Sequence, residues 1–170
     1  MNTRLQVEHP VTEMTTGIDL VALQIDVAQG RRLPYSQDDI TFNGHAIEAR
    51  LYAEDPARGF LPCTGKVEHW RPPVAEAVRV DSGIATGLEI TPYYDPMLAK
   101  VIAWGPDRES ARRRLRESLK KTVLYGVTTN RRFLVDVLGK HSFAEGEATT
   151  AFIDKEFSAD DLAQAIPGFE

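Results

Sequence analysis

Asn2, Arg4, Gln6 and Glu8 stand at alternate positions of the opening string Met1-Asn2-Thr3-Arg4-Leu5-Gln6-Val7-Glu8-His9-Pro10. Side chains of an extended strand alternate between its two faces, so this spacing predicts all four on one face, opposite Met1, Thr3, Leu5 and Val7. The row would offer two amides, a guanidinium and a carboxylate. A carboxylate beside a guanidinium can hold a small oxyanion and take a proton from it, while amides orient it. Asn2 could join a metal site but does not make one. Mg²⁺ wants carboxylates and phosphates around it, and no carboxylate precedes Asn2. The same alternation also fits an ordinary half-exposed strand, polar outward and apolar inward.

Glu48 and Arg50 form a second candidate pair, two residues apart in a predicted strand over 44–52. There His45, Ile47, Ala49 and Leu51 face one way, and Ala46, Glu48, Arg50 and Tyr52 the other. Taken alone, the pair reads as a surface ion pair worth about 0–1 kcal/mol. His45 shares a face with Ile47 and reads as a core histidine, and His9 as a packing residue. His69 and His141 show no ligand partners in the sequence. Cys63 is the only cysteine, so no disulfide or cysteine metal site can form within the chain.

The elements that must position these groups are mostly legible. Asp19 can cap a helix running to about residue 29, with a stripe of Leu20, Leu23 and Val27 and a stop at Gly30. Residues 34–43 read as a loop. Strands are predicted near 66–70, 78–81 and 97–104, the last ended by Gly105-Pro106. Asp107 can cap a helix to about 123 with Ala111, Leu115, Leu119 and Thr122 or Val123 on one stripe. Its acidic start and basic end suit the helix dipole. Gly126 breaks that helix, Thr129 can cap another to Gly139, and a last short helix is predicted over 149–157. The pattern is α+β, a mostly antiparallel sheet with helices on one side.

Composition narrows the function further. The 170 residues suffice for about one domain. A net charge of −5, with no basic stripe interleaved with aromatics, argues against nucleic acid as a partner. Arg112, Arg113, Arg114, Arg116, Lys120 and Lys121 are expected to form a solvated helix face. The chain shows neither an 18-residue apolar run nor a leader pattern, so no membrane association is expected. The expected location is cytoplasmic, or organellar if a targeting segment lies upstream.

The literal strings go beyond this chemistry. Met1 through Glu13 resembles the signature of the biotin carboxylase subunit or domain of biotin-dependent carboxylases, members of the ATP-grasp ligases. Gly44-His45-Ala46-Ile47-Glu48-Ala49-Arg50 with Ala53-Glu54-Asp55-Pro56 resembles the next family block. Phe60-Leu61-Pro62, Pro92-Tyr93-Tyr94-Asp95-Pro96-Met97-Leu98-Ala99-Lys100 and Gly126-Val127-Thr128-Thr129-Asn130 resemble three more. Five blocks in family order over about residues 1–157 are specific where one would not be.

The resemblance implies a C-terminal part of a biotin carboxylase. Residues 1–40 would end the ATP-grasp domain, 41–157 would form the biotin carboxylase C-terminal domain, and 158–170 would be a tail or linker. It implies ATP-dependent carboxylation of carrier-bound biotin with bicarbonate, within an acyl-CoA carboxylase of the methylcrotonyl-, propionyl- or acetyl-CoA type. Pro10 stands where pyruvate carboxylases tend to carry Thr. ATP, Mg²⁺ or Mn²⁺ and biotin are the implied cofactors. The implied partners are a carboxyltransferase subunit, a biotin carboxyl carrier domain and a second copy of the chain.

By the same resemblance, Arg4, Gln6 and the backbone of Val7 hold bicarbonate, and Glu8 is the base that deprotonates it. Arg50 contacts bicarbonate and stabilises the enolate-like form of biotin. Asn2 helps bind the metal, Thr150 lies near the adenine of ATP, and Arg79 lies at the dimer interface. There, Glu76 and Ala77 replace a bulky apolar neighbour. Glu48 is expected as structural support, and Tyr93, Tyr94 and Asp95 as packing and turn residues. The family's metal-binding carboxylates, Gly-rich lid and phosphate-binding lysines are not found in the chain, so by itself it is expected not to turn over ATP. Two other readings remain: a non-catalytic scaffold or dimerisation module derived from this domain, and another ATP-grasp ligase such as carbamoyl-phosphate synthetase. Retention of Arg4, Glu8 and Arg50 favours the enzyme over the first. The Gln6-Val7-Glu8-His9 string argues against the second.

Overall fold

The computed structural model describes residues 1–163. In chain order the elements are α1 (His9–Thr16), α2 (Leu20–Ala28), β1 (His45–Tyr52), β2 (Glu54–Asp55), β3 (Leu61–Pro62), β4 (Gly65–Lys66), β5 (His69–Arg71), β6 (Val78–Ser82), β7 (Glu89–Ile90), β8 (Met97–Gly105), α3 (Arg108–Lys121), β9 (Val123–Tyr125), α4 (Arg131–Val137), α5 (His141–Ala144), α6 (Phe152–Glu156) and α7 (Ala159–Ala163). The architecture is α+β. Its main sheet is antiparallel with the order β1–β8–β6, and three two-stranded ribbons (β2–β3, β4–β7, β5–β9) surround it.

The central place of β8 follows from its sequence. Met97-Leu98-Ala99-Lys100-Val101-Ile102-Ala103-Trp104 is apolar on both faces except at Lys100, as a strand covered from both sides should be. On one face Ala49, Val101 and Ala103 meet Leu115, Leu119, Val135 and Leu138, so α3 and α4 close that side. Asp107 caps α3 by accepting from the Ser110 N–H, and Ala111, Leu115 and Leu119 are buried as their spacing predicts. The opposite face presents Glu48 and Arg50 of β1, Lys100 of β8, and Arg79 and Asp81 of β6. Helix α1 rests there, against β1 and β8. No helix among the described residues is long and apolar enough to cross a membrane.

Several expectations need correction. Residues 1–8 are not a strand. No described strand pairs with them, and an extended segment without a neighbour leaves its N–H and C=O groups to water. The chain instead enters α1, with Pro10 in the first turn and Gly17 in the left-handed conformation (φ 74°) that ends it. In α2, Asp19 caps as expected by accepting from the Ala22 N–H, but the Leu20–Leu23–Val27 stripe buries no residue. Asn130, not Thr129, occupies the cap position of α4, and β9 and α5 arise where no element was expected.

The arginines of α3 are not merely a solvated face. Arg112 donates to the Leu138 carbonyl, Arg114 to that of Trp104 and Arg116 to that of Val135, so they tie α3 to α4 and β8. Tyr93 and Tyr94 are 85% and 83% exposed, so they are not core packing residues. Asp95 serves the turn, accepting from the Met97 N–H. Helix α7 occupies part of the expected tail, and residues 164–170 of that tail lie outside the described residues.

Candidate functional site

The sheet face beneath α1 collects the charged groups. Arg50, Lys100 and Asp81 lie opposite one another across β1, β8 and β6, so the register alone places them in one row. The turn that opens α1 brings Glu8 onto this row, where Arg50 Nη2 donates to Glu8 Oε2 at 2.8 Å. These two residues are 42 apart in sequence, so the fold makes the pair. Both remain accessible, with side chains 54% and 40% exposed for Glu8 and Arg50.

Lys100 is the buried member, its side chain 12% exposed. Its ammonium donates to the Val7 carbonyl at 3.0 Å and lies 3.4 Å from both Asp81 Oδ2 and His9 Nε2. Arg79 donates to both carboxylate oxygens of Asp81, at 2.7 and 2.9 Å, and to Glu13 Oε2 at 2.6 Å. Glu13 also accepts from the Leu20 N–H at 2.7 Å and touches His9 Nδ1 at 3.1 Å. One charged network therefore joins α1, the start of α2 and all three strands.

The carboxylates in this network titrate in opposite senses. Burial alone would push Glu13 up, but its hydrogen bonds from Arg79 and the Leu20 N–H hold the carboxyl below its ordinary value. Asp81 is likewise lowered, burial being outweighed by Arg79 and Lys100. The Arg79 guanidinium is correspondingly held more firmly protonated, chiefly by Asp81. Glu48 goes the other way. Its side chain is 5% exposed, and burial raises its carboxyl against the pull of Lys100 and Arg50. The nearest guanidinium nitrogen, Arg50 Nε, is 3.6 Å away, an ion pair too long for a hydrogen bond, and neither Glu48 oxygen has a hydrogen-bond partner among the described residues.

Arg4, Gln6 and Glu8 line a cavity of about 850 Å³ whose other wall is apolar, formed by Leu20, Leu23, Val27, Leu33, Tyr35 and Ile40. Arg4 is exposed, and its one hydrogen bond here is a long 3.5 Å contact to the Leu5 carbonyl. The structure thus brings Arg4, Gln6 and Glu8 to one cavity and joins Glu8 to Arg50 and Val7 to Lys100. Asn2 is exposed and outside this set. The described residues hold no group of three His, Cys, Asp or Glu that could bind a metal, so they do not by themselves fit a divalent cation. Thr150 lies exposed in the turn before α6 and is not joined to the cluster.

Four supporting residues escaped the sequence reading: Glu13, Asp81, Lys100 and Asn130. Asn130 is buried, accepts from the Tyr52 N–H at 2.9 Å and donates to the Arg50 carbonyl at 3.2 Å. It pins the strand beside Arg50, where the β1–β8 register shifts between Leu51 and Tyr52. Lys100 did leave a signal, as the single charge in an otherwise apolar β8. Chemically, the Arg4 guanidinium and the Glu8 carboxylate at an open cavity, with Arg50 donating to that carboxylate, can bind a small oxyanion and accept a proton from it.

Comparison with known proteins gives these groups a context. Residues 48–155 match the family Biotin carboxylase C-terminal domain, and residues 1–36 match Carbamoyl-phosphate synthase L chain, ATP binding domain. The alpha subunit of the mitochondrial methylcrotonoyl-CoA carboxylase of Glycine max is 50% identical over 154 residues, covering 91% of this chain and 21% of that protein. The biotin carboxylase of Nostoc sp. is 44% identical over 155 residues, covering 91% of this chain and 35% of that protein. Among solved structures, the biotin carboxylase domain dimer of Hydrogenobacter thermophilus 2-oxoglutarate carboxylase, in complex with MgADP, ADP and bicarbonate, superposes with a TM-score of 0.92. It is 43% identical, with 98% of this chain and 36% of that one covered. The chain thus spans about a fifth to a third of the length of these proteins.

Proposed function

Because the chain belongs to the biotin carboxylase C-terminal domain family of the ATP-grasp carboxylases, we propose that it works as the C-terminal part of a biotin carboxylase, carboxylating carrier-bound biotin with bicarbonate and ATP. Residues 1–40 would complete an ATP-grasp domain and 41–157 would form the C-terminal domain. The observation that carries the reading is the Glu8–Arg50 pair at 2.8 Å, beside the cavity that Arg4 and Gln6 line.

In this reading bicarbonate enters between Arg4 and Arg50, and charge-assisted hydrogen bonds hold its oxygens. Gln6 and the Val7 backbone orient it. Glu8 takes the hydroxyl proton, leaving a carbonate dianion able to attack the γ-phosphate of ATP with release of ADP. The resulting carboxyphosphate is the carboxyl donor to a ureido nitrogen of biotin: its bond from carbon to the bridging oxygen breaks, and the phosphate leaves with the proton that the nitrogen gives up. Arg50 stabilises the charge that develops on the ureido oxygen as that nitrogen loses its proton. Asn2 would lend its amide to a metal, and Thr150 would approach the adenine. No group of three His, Cys, Asp or Glu among the described residues could hold that metal, and no step is routed through it.

The carrier domain, the carboxyltransferase and a second copy meeting at Arg79 are the proposed partners. The dimer of the Hydrogenobacter thermophilus relative supports the last. An acyl-CoA carboxylase of the methylcrotonyl-CoA type is favoured by the Glycine max relative, whose mitochondrial name agrees with an organellar alternative to the cytoplasm.

The test is bicarbonate-dependent ATP hydrolysis with free biotin, using this chain mixed with the remaining part of the Hydrogenobacter thermophilus domain. Activity is expected in the mixture and absent from the chain alone. Glu8→Gln should abolish bicarbonate-dependent hydrolysis. Arg50→Ala should remove biotin-dependent turnover while largely sparing ATP binding. Intact turnover in either variant would refute the corresponding role.

A further inference from the structure

Lys100 has no part in the reaction as described above, yet it sits where a charge is costly. It is the single charged residue of the central strand, and a buried ammonium costs several kcal/mol unless it is well paired. A leucine or methionine would suit β8 better. An ammonium has three donors, and Lys100 directs its group at the Val7 carbonyl, Asp81 and His9. Two of these three belong to the segment that carries Gln6 and Glu8. The third, Asp81, is fixed in turn by its paired hydrogen bonds from Arg79.

The need for such a clamp follows from the fold. Residues 1–8 lie outside every strand ladder of the described residues. The local backbone bonds of the turn are those from the His9 N–H to the Gln6 carbonyl (3.2 Å) and from the Val11 N–H to the Glu8 carbonyl (3.1 Å). Neither bond reaches the sheet. The Lys100–Val7 bond does, and it reaches the strand position directly opposite Arg50. His9 Nε2, 3.4 Å from the ammonium, ties Lys100 to the first turn of α1 as well.

We propose that Lys100 is a positioning residue of the bicarbonate site, which sets the distance between the Gln6–Glu8 backbone and Arg50 by holding the Val7 carbonyl. This rests on the functional reading above and extends it to a group that touches neither bicarbonate nor biotin. Loss of the clamp lets the Val7–Glu8 turn drift from Arg50. A displacement of about 1 Å at a reacting group can cost about a hundredfold in rate. Gln6, Val7 and Glu8 are bicarbonate groups in the functional reading above, so the defect is expected in the use of bicarbonate.

The experiment uses a chimera in which the whole chain replaces the matching part of the Hydrogenobacter thermophilus biotin carboxylase domain. Lys100→Met keeps the stem and removes the charge. Its KM for bicarbonate is expected to rise at least about tenfold, with the KM for ATP within about twofold and the melting temperature little changed. Lys100→Arg, which restores a cation, should recover part of the loss. An unmoved bicarbonate KM would overturn the proposal, as would a loss shared equally by both substrates in step with thermal destabilisation. A second measurement needs no variant to fold. In the ¹³C,¹⁵N-labelled chain, a scalar coupling across the hydrogen bond from Lys100 Nζ to the Val7 carbonyl carbon is expected, and its absence overturns the proposal as well. Inactivity of the unaltered chimera would instead sink the functional reading, and the inference with it.

Discussion

The β1–β8–β6 sheet and α3 bury Leu51, Val101, Leu115 and Leu119 completely, whereas α2 buries no residue and leaves Ile25 and Val27 54% and 51% exposed. These regions are held by different physics. The sheet body is stabilised by apolar burial, which is non-directional and spread over many contacts. The segment with Arg4, Gln6 and Glu8 is tied to it by a few charged contacts: Lys100 to Val7, Arg50 to Glu8 and Arg79 to Glu13. The proposed site thus sits where packing is thinnest, on a well-packed scaffold that presents it. Damage to the body should appear as lost stability, and damage to the clamps as lost geometry.

The largest effect that can break this contrast is expected at Leu115, fully buried between α3 and the sheet. Leu115→Ala should cost about 2–5 kcal/mol through lost burial and the cavity left behind, read as a fall in the urea midpoint at unchanged slope. A cost near zero would mean that the core is not where α3 places it. Asn130→Ala comes next. It strands the half-buried Tyr52 N–H and Arg50 carbonyl, at about 1–3 kcal/mol. Because Asn130 holds the Arg50 backbone, this variant should also impair biotin-dependent turnover beyond its effect on stability. Stability loss without that extra defect would detach Asn130 from the site.

This contrast also explains what the sequence could and could not tell. The body was legible because its periods are clean: β8 and α3 obey their patterns, and Asp107 caps where a helix start requires it. Residues 1–8 were misread because alternation of polar and apolar residues is a local signal, while a strand needs a neighbour that sequence spacing does not reveal. Even so, Arg4, Gln6 and Glu8 of that row meet at one cavity without a strand to align them. Asn2 and Thr150 did not join them. Glu13, Asp81 and Lys100 were missed because their role exists only across elements, through a register fixed by the fold.

Two buried carboxylates sharpen the comparison through pH. Glu13, clamped by Arg79, has its folded-state pKa lowered, so the stability it contributes is present above its unfolded value and is lost as the pH falls through the folded one. Glu48, without a hydrogen-bond partner among the described residues, has its folded-state pKa raised, so the folded state binds the proton more tightly. Stability then declines as the pH rises from the unfolded value through the folded one. Glu48→Gln should therefore remove that decline and leave stability at neutral pH equal or higher. Glu13→Gln should lower stability at neutral pH and flatten the acid limb. Urea midpoints measured against pH distinguish the two, and a loss of neutral-pH stability in Glu48→Gln would show that its charge is compensated after all.

The smallest effect belongs to α2. Ile25 is 54% exposed in a helix with no buried residue, so Ile25→Ala removes little apolar contact within the chain. Alanine is also the better helix former. The change should move the unfolding free energy by no more than about 0.5 kcal/mol, against the several expected for Leu115→Ala. The measurement is the urea midpoint at two protein concentrations well apart. A small, concentration-independent shift keeps α2 as a face that the folded body does not need. A cost approaching that of Leu115→Ala at both concentrations would show that α2 packs within the chain, and the contrast between the two regions would fall. A cost that appears only at the higher concentration would place Ile25 in a contact between copies, leaving the body's independence intact.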